Sequence, residues 1–147
     1  MWLALLLNLL VGVALAGDTF GGLDKATLAA MLDTLLLFLW LWLLLAFKRR
    51  PERLIQSATA MLGSGGIIGL VILPLQMLVG DGNDMGTLAA MAGALVFLLL
   101  IWLLVVATYI LRHTLEVGLA LAFGLALTYF VLANAIIRSL FPEAGSQ

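Results

Sequence analysis

The sequence predicts an all-α integral membrane protein: a compact bundle of five transmembrane helices, or of four if the N-terminal segment is a cleaved signal. The first observation is composition, since 65% of the 147 residues are hydrophobic and only 10% are charged. A soluble domain has about 25% charged residues and leaves much of its surface in water, so a chain this apolar needs lipid as its solvent. The second observation is that apolar runs such as residues 35–39 do not alternate with polar residues, as the strands of a membrane barrel would.

Four apolar stretches are long enough to span a bilayer, which takes about 20 residues of α-helix. They cover residues 27–47, 54–79, 87–111 and 115–137. Backbone groups in lipid must bond to each other, so each stretch is expected to be a helix. The last two stretches follow each other directly. The chain must therefore reverse near residues 111–114 and form a tight helical hairpin.

The N-terminal segment, residues 2–16, is apolar except for Asn8 and supports two interpretations. It lacks the basic start of a signal peptide, which favours a retained first span, but the Ala-Leu-Ala-Gly sequence at residues 14–17 resembles a cleavage site. Retention gives five spans with the N-terminus inside and the C-terminus outside, whereas cleavage gives four spans with both ends outside. In either case we expect one bundle domain within residues 1–140 and a flexible tail at residues 141–147.

Basic residues predict the orientation, because short cytoplasmic loops are rich in Lys and Arg. Four of the seven positive charges fall in one loop, which is therefore expected in the cytoplasm: Lys48, Arg49, Arg50 and Arg53. Arg112 and His113 come two crossings later, on the same side. The loop that contains Asp81 and Asp84 has no Lys or Arg and falls outside. The expected location is the plasma membrane, as a bacterial inner-membrane protein with several spans.

Asp33 is the strongest candidate for a functional residue, because placing a carboxylate at the centre of a membrane span costs at least about 2.5–3.5 kcal/mol of free energy. It lies about two turns into its predicted helix, on the outer half. We expect it to reach the outer interface or to pair with a donor such as Arg138, which is also expected near the outer surface. The alternative is a proton or ion relay, or a polar contact to a partner helix.

Arg112 and Glu116 are four residues apart beside the expected hairpin. On one helix they would form a local ion pair worth a few tenths of a kcal/mol. Placed on different helices by the reversal, they could instead act as a cytoplasmic gate. His113 is expected to be a solvated loop residue.

Glycines and a proline make the third span unusual. Gly65 and Gly69 have the small-xxx-small spacing that lets helices approach closely. Pro74 has no N–H to bond the Leu70 carbonyl and is expected to kink the helix. Close packing with a kink is the ordinary interpretation, and a discontinuous helix that lines a substrate site is the alternative. The small-xxx-small spacing recurs in the last two spans, at Ala89 and Gly93, Gly118 and Ala122, and Ala120 and Gly124.

The stretch Arg-Pro-Glu-Arg-Leu-Ile-Gln-Ser-Ala-Thr-Ala at residues 50–60 leads into the Leu-Pro-Leu sequence at residues 73–75. A small five-span bundle with such a Pro- and Gly-containing third span resembles the compact membrane domains of Yip1-type proteins. The stretch also resembles uncharacterised small bacterial inner-membrane proteins. The resemblance implies a membrane-organising or partner-binding role and no enzyme activity.

The sequence predicts no catalytic, cofactor-binding or metal-binding residues, since it has no cysteine and His113 is its single histidine. The net charge of −1 gives nucleic-acid binding no electrostatic support. The expected partners are membrane lipids, and other membrane proteins or a second copy through the small-residue helix faces. The leading hypothesis is a non-catalytic membrane subunit or scaffold. The alternative is a small transporter or channel subunit that uses Asp33 and the Gly- and Pro-interrupted third helix.

Overall fold

The computed structural model describes residues 1–20, 22–80 and 86–141. This part of the chain is all-helical, as predicted, and a short 3-10 turn at Pro51–Arg53 precedes its third long helix. The predicted outer loop at residues 81–84 and the predicted flexible tail beyond Phe141 lie outside the described residues. The five long helices are α1 (Trp2–Phe20), α2 (Leu23–Phe47), α3 (Leu54–Gly80), α4 (Thr87–Leu115) and α5 (Leu119–Leu140).

Four of these helices are long and apolar enough to cross a membrane: α2, α3 with its preceding turn, α4 and α5. They match the four predicted stretches, although α2 begins at Leu23 and α4 continues to Leu115. The apolar part of α1, Trp2–Gly17, is shorter than the other four. Its length and composition do not by themselves make α1 a fifth span.

The helices close into a ring in the order α1, α3, α4, α5, α2, and each packs against its two neighbours. α2 and α3 also contact each other across this ring. Because every helix turns one face inward, side chains from all five reach a common interior. This arrangement places residues far apart in sequence side by side at the centre of the bundle.

Large apolar side chains fill one half of the bundle, which we call the basic half because it ends at the connections that carry Arg50 and Glu116. Smaller buried residues let the helices meet around this core, among them Ala58, Ala107 and Ala122. Dense packing of this kind fixes the positions of the helix ends. Its largest fully buried side chains are Leu41, Leu45 and Leu111.

Small residues build the opposite half, which we call the cavity half. A Cβ added at Gly69 would lie 2.5 Å from Cγ1 of Val11, and one at Gly65 would lie 3.1 Å from Oδ1 of Asn8. Both neighbours belong to α1. The prediction that the Gly65 and Gly69 face permits close helix approach is therefore confirmed, and the helix that approaches is α1.

The same spacing in α4 and α5 gives a different result. A Cβ at Gly93 or at Gly124 would meet nothing within 4 Å. Ala122, by contrast, is fully buried in the core. Small-residue spacing in these helices therefore does not by itself identify the face that packs.

α4 and α5 form the predicted hairpin, but the reversal comes later than residues 111–114. α4 continues through this segment to Leu115. Glu116 then takes a left-handed conformation with φ 52°, and its N–H and that of Val117 donate to the carbonyl of Arg112. A left-handed residue at this position is a common way to end a helix, and it directs the chain through Gly118 into α5.

Candidate functional site

Asp33 lies near the middle of α2, on the face that turns into the bundle. Buried residues flank it on this face, namely Ala30 three residues before and Leu37 four residues after. From Leu23 to Asp33 the helix rises about 15 Å. The position expected from the sequence was too close to the start of the helix, because α2 begins four residues before residue 27.

The hydrogen-bond partner of Asp33 is Tyr129. The tyrosine hydroxyl donates to Oδ1 of Asp33 at 3.1 Å and lies 3.4 Å from its backbone carbonyl oxygen. Tyr129 is itself buried and lies in the middle of α5, so the two side chains meet at mid-depth of both helices.

The expectation that Asp33 finds a hydrogen-bond donor is therefore confirmed, but the donor is Tyr129 and not Arg138. The expected interfacial position stays a prediction. Arg138 lies nine residues beyond Tyr129, about 13 Å further along α5. The ion pairs found in the described part of the chain do not include one between Arg138 and Asp33. A neutral hydroxyl on the facing helix takes the place of the expected guanidinium.

A cavity of about 270 Å³ opens beside the Asp33–Tyr129 pair. All five helices contribute to its wall, most of which is apolar. A space of this size can hold several water molecules or a small solute. The polar side chains that line it are Asn8, Asp33, Ser64, Tyr129 and Asn134.

Hydrogen-bond acceptors predominate among the groups left open in this cavity. The hydroxyl of Ser64 and the amide nitrogen of Asn134 each donate to a carbonyl of their own helix. Within the described residues, Oδ2 of Asp33 and Oδ1 of Asn134 accept no hydrogen bond, and the Asn8 amide makes none. An excess of acceptors around a carboxylate suits a cation or a solute rich in N–H or O–H groups.

Sequence reasoning found Asp33 but missed the residues that complete the site. Tyr129 is one of only two tyrosines and falls in the middle of a predicted span, which was the available signal for a buried donor. Asn8 and Asn134 were visible as rare polar residues in apolar helices. Nothing in the local pattern indicated that these residues face Asp33, because they lie on two other helices, α1 and α5.

A second polar cluster lies at the end of the basic half. Glu116 forms ion pairs with Arg50 and, at 3.1 Å, with Arg53. The hydrogen bond from Arg50 is the main reason that the pKa of Glu116 lies below its ordinary value; partial desolvation opposes this shift, and the charges of both arginines add to it. These contacts confirm that the two basic connections lie at the same end of the bundle.

The expected local ion pair between Arg112 and Glu116 is wrong. Because Glu116 leaves the helix in a left-handed conformation, the i, i+4 geometry of a continuous helix is lost. Arg112 instead contributes its backbone carbonyl to the turn. Glu116 faces the α2–α3 connection, where its partners lie.

Pro74 lies inside α3, which continues as an α-helix to Gly80. Its side chain is exposed on the outside of the bundle and does not line the Asp33 cavity. Pro74 has no N–H to donate to the Leu70 carbonyl, and the kink expected from this loss stays a prediction. Gly65 of α3, and not its proline, contributes to the cavity wall.

Neither a protein-family model, nor a curated protein, nor a solved structure matches this chain. The resemblance to Yip1-type domains stays a prediction, and the functional argument rests on the chemistry of the Asp33 cavity.

Proposed function

We propose that this chain is a non-catalytic, multi-pass membrane protein that binds a small cationic or donor-rich solute at Asp33, as a small transporter or channel subunit does. The observation that supports it is a carboxylate held at mid-helix depth beside a cavity lined by all five helices. An ionisable group at membrane depth is costly and characteristically marks a binding site or a pathway. The scaffold hypothesis expected this carboxylate at the interface or paired with an arginine.

The chemistry of the cavity sets the class of solute. Oδ2 of Asp33 and Oδ1 of Asn134 can accept from an ammonium group, a protonated amine or the water shell of a monovalent cation. Tyr129 holds the other carboxylate oxygen in place. The apolar remainder of the wall strengthens each of these electrostatic contacts, since the local dielectric is low.

Transport assays on Asp33→Asn in proteoliposomes test this proposal, with Asp24→Asn as the matched control. Asp24 lies in the first turn of the same helix and does not line the cavity. We expect wild-type protein and Asp24→Asn to carry protons, alkali cations or small alkylammonium ions, and Asp33→Asn to lose this flux while it still folds. Equal flux from all three proteins, or no flux of any of these species from the wild type, would contradict the proposal.

For topology, we propose five spans in a bacterial inner membrane, with α1 retained and the Arg50–Glu116 end in the cytoplasm. Support comes from the positive-inside rule and from the close contacts of α1 with α3 at Gly65 and Gly69. A cysteine at position 52 should resist an impermeant thiol reagent in intact cells, whereas one at position 83 should react. The reverse pattern would invert the topology, and an intact mass that begins at Gly17 would leave four spans.

The subunit or scaffold role is the second candidate, and the outer face of α5 favours it. Ala120 and Gly124 form an exposed small-xxx-small pair with open space beside Gly124. If another membrane protein packs there, Gly124→Ile should abolish its co-purification in mild detergent, whereas Leu127→Ile, at an exposed site of the same helix, should not. Co-purification that is insensitive to Gly124→Ile would exclude this face.

A further inference from the structure

A second pocket, of about 530 Å³, lies between α3 and α4 at the end of the basic half. We call it the headgroup pocket. It is independent of the Asp33 cavity, with which it shares no lining residue. The buried hydroxyls of Ser57 and Thr114, hydrogen-bonded to each other at 2.9 Å, form part of its wall. Arg53, Gln56 and His113 supply its other polar groups.

The donors of this pocket are only partly used. Nη1 of Arg53 contacts Glu116 and the carbonyls of His113 and Thr114, at 3.1 to 3.4 Å. Its Nε and Nη2 atoms, which form the other fork of the guanidinium, bond to no described residue. The side-chain amide of Gln56 also has no partner in the described part of the chain. A planar fork beside an amide matches the oxygens of a phosphate group.

The charge around the pocket also favours an anion. The two connections at this end, together with the last turn of α4, carry five Lys and Arg side chains and two acidic ones. One of the acids, Glu116, is already held by Arg50 and Arg53. The basic side chains are Lys48, Arg49, Arg50, Arg53 and Arg112.

An apolar groove shares one lining residue, Tyr109, with the headgroup pocket. It lies between α4 and α5, has a volume of about 490 Å³ and includes Val105, Leu119 and Phe123 in its wall. Tyr109 lines both the groove and the headgroup pocket, and it is half exposed. An anionic site and an apolar groove that meet at one aromatic side chain suit an amphiphile, since a soluble anion would use the first alone.

We propose that the headgroup pocket binds the phosphate of an anionic phospholipid, with one acyl chain crossing Tyr109 into the apolar groove. Arg53 donates through its Nε and Nη2 fork, and Gln56 donates through its amide. The proposal requires a membrane but no part of the solute site at Asp33. A protein without transport activity could therefore still bind the lipid.

Binding of phosphatidylglycerol to the purified full-length protein tests the proposal, with phosphatidylcholine as the neutral comparison and native mass spectrometry as the measurement. We expect phosphatidylglycerol to bind the wild type roughly tenfold or more tightly than phosphatidylcholine, and Arg53→Gln to remove most of this preference. Lys48→Gln is the matched control, since it removes one charge from the same cluster outside the pocket. We expect it to change affinity by less than about twofold at physiological salt, where exposed charges are screened.

Two further measurements distinguish binding of a phospholipid from binding of a soluble phosphate. Phe123→Ala, which changes the groove and not the headgroup pocket, should weaken phosphatidylglycerol binding and leave the binding of glycerol phosphate unchanged. Saturating inorganic phosphate should displace phosphatidylglycerol poorly, because it lacks the acyl chain. Full displacement by inorganic phosphate would make the pocket a soluble-anion site and overturn the lipid assignment.

Equal losses from Lys48→Gln and Arg53→Gln would also overturn the proposal, because they would show a diffuse charge effect without a built site. If Arg53→Gln fails to fold, Gln56→Leu is used in its place. The Gln56 side chain forms no hydrogen bond with a described residue, so its replacement should not disturb folding. Gln56→Leu should weaken phosphatidylglycerol binding severalfold. Wild-type affinity in this variant would contradict the proposed contact.

Discussion

The two halves of the bundle are built on opposite principles. The basic half is filled by leucines with essentially no exposure, such as Leu41 and Leu45, and ion pairs tie its end together. In the cavity half, glycines let α1 approach α3 closely, and a space remains beside Asp33 and Tyr129. Packing is complete in the half that holds the helices together, and it is left open where a buried carboxylate faces other polar groups.

The two carboxylates show the same contrast. Glu116 is exposed and has two arginine partners, so water and counter-charge both stabilise it. Asp33 is partly buried and has one neutral partner. A charge that is stabilised this weakly is a poor structural element, which is why we propose solute binding for the cavity half and a structural role for the ion pairs of the basic half.

The largest effect is expected in the basic half, from Leu45→Ala. Leu45 is fully buried, and its truncation leaves a void among side chains that cannot collapse into it. We expect a loss of about 2 kcal/mol or more in the free energy of unfolding, measured by denaturant titration in micelles. Leu43→Ala, at an exposed position of the same helix, should change it by less than about 0.5 kcal/mol. Equal losses would mean that the leucine core does not hold the basic half.

Gly69→Ala tests the cavity half through the contact of α3 with α1. The added Cβ would meet Cγ1 of Val11 at 2.5 Å, and this buried β-branched side chain has little freedom to move. We expect a loss of roughly 1–3 kcal/mol in the free energy of unfolding. Gly93→Ala, where the Cβ would meet nothing within 4 Å, should cause no loss. A tolerated Gly69→Ala would show that α1 is not held closely against α3.

The contrast between Gly69 and Gly93 also shows how much of the fold could be predicted from the sequence. Hydropathy alone located four helices, and the basic residues indicated which two connections share an end of the bundle. Both predictions succeed because hydropathy and charge are properties of short stretches of sequence. The spacing around Gly65 and Gly69 predicted close approach but not its partner. The pairs Gly65/Gly69 and Ala89/Gly93 satisfy the same small-xxx-small rule, and only the tertiary arrangement decides which of them faces another helix.

The candidate site was less predictable for a related reason. Because α2 begins at Leu23 and not at residue 27, Asp33 lies about one turn further from the start of the helix than the sequence indicated. Its contact with Tyr129 spans 96 positions of sequence. Pairings at such separation leave no periodic signal, so Arg138 was the natural but mistaken choice of partner.

Tyr129→Phe is expected to have a smaller effect, confined to the cavity half. It removes the hydroxyl that donates to Asp33 and leaves the carboxylate without a donor in the described residues. We expect a loss of roughly 1–2 kcal/mol in the free energy of unfolding, together with weaker solute binding. Tyr109→Phe is the control, because the hydroxyl of this half-exposed residue has no described hydrogen bond. If the two variants behaved alike, the bond to Asp33 would contribute nothing measurable.

The smallest effect is expected at the end of the basic half, and it depends on pH. The hydrogen bond from Arg50 lowers the pKa of Glu116 in the folded protein below its ordinary value of 4.5. The unfolded state therefore binds the proton more readily, so the contribution of Glu116 is fully present above this ordinary value and is lost as the pH falls through the lower folded pKa. Because Glu116 is exposed, the contribution is small and decreases with added salt.

The unfolding midpoint of wild-type protein should exceed that of Glu116→Gln at pH 7, and the difference should disappear in acid. Glu52→Gln removes an acid from the facing connection that forms no described ion pair, so its profile should follow that of the wild type. A difference between wild type and Glu116→Gln that persists unchanged in acid would show that the ion pairs with Arg50 and Arg53 do not stabilise this end of the bundle.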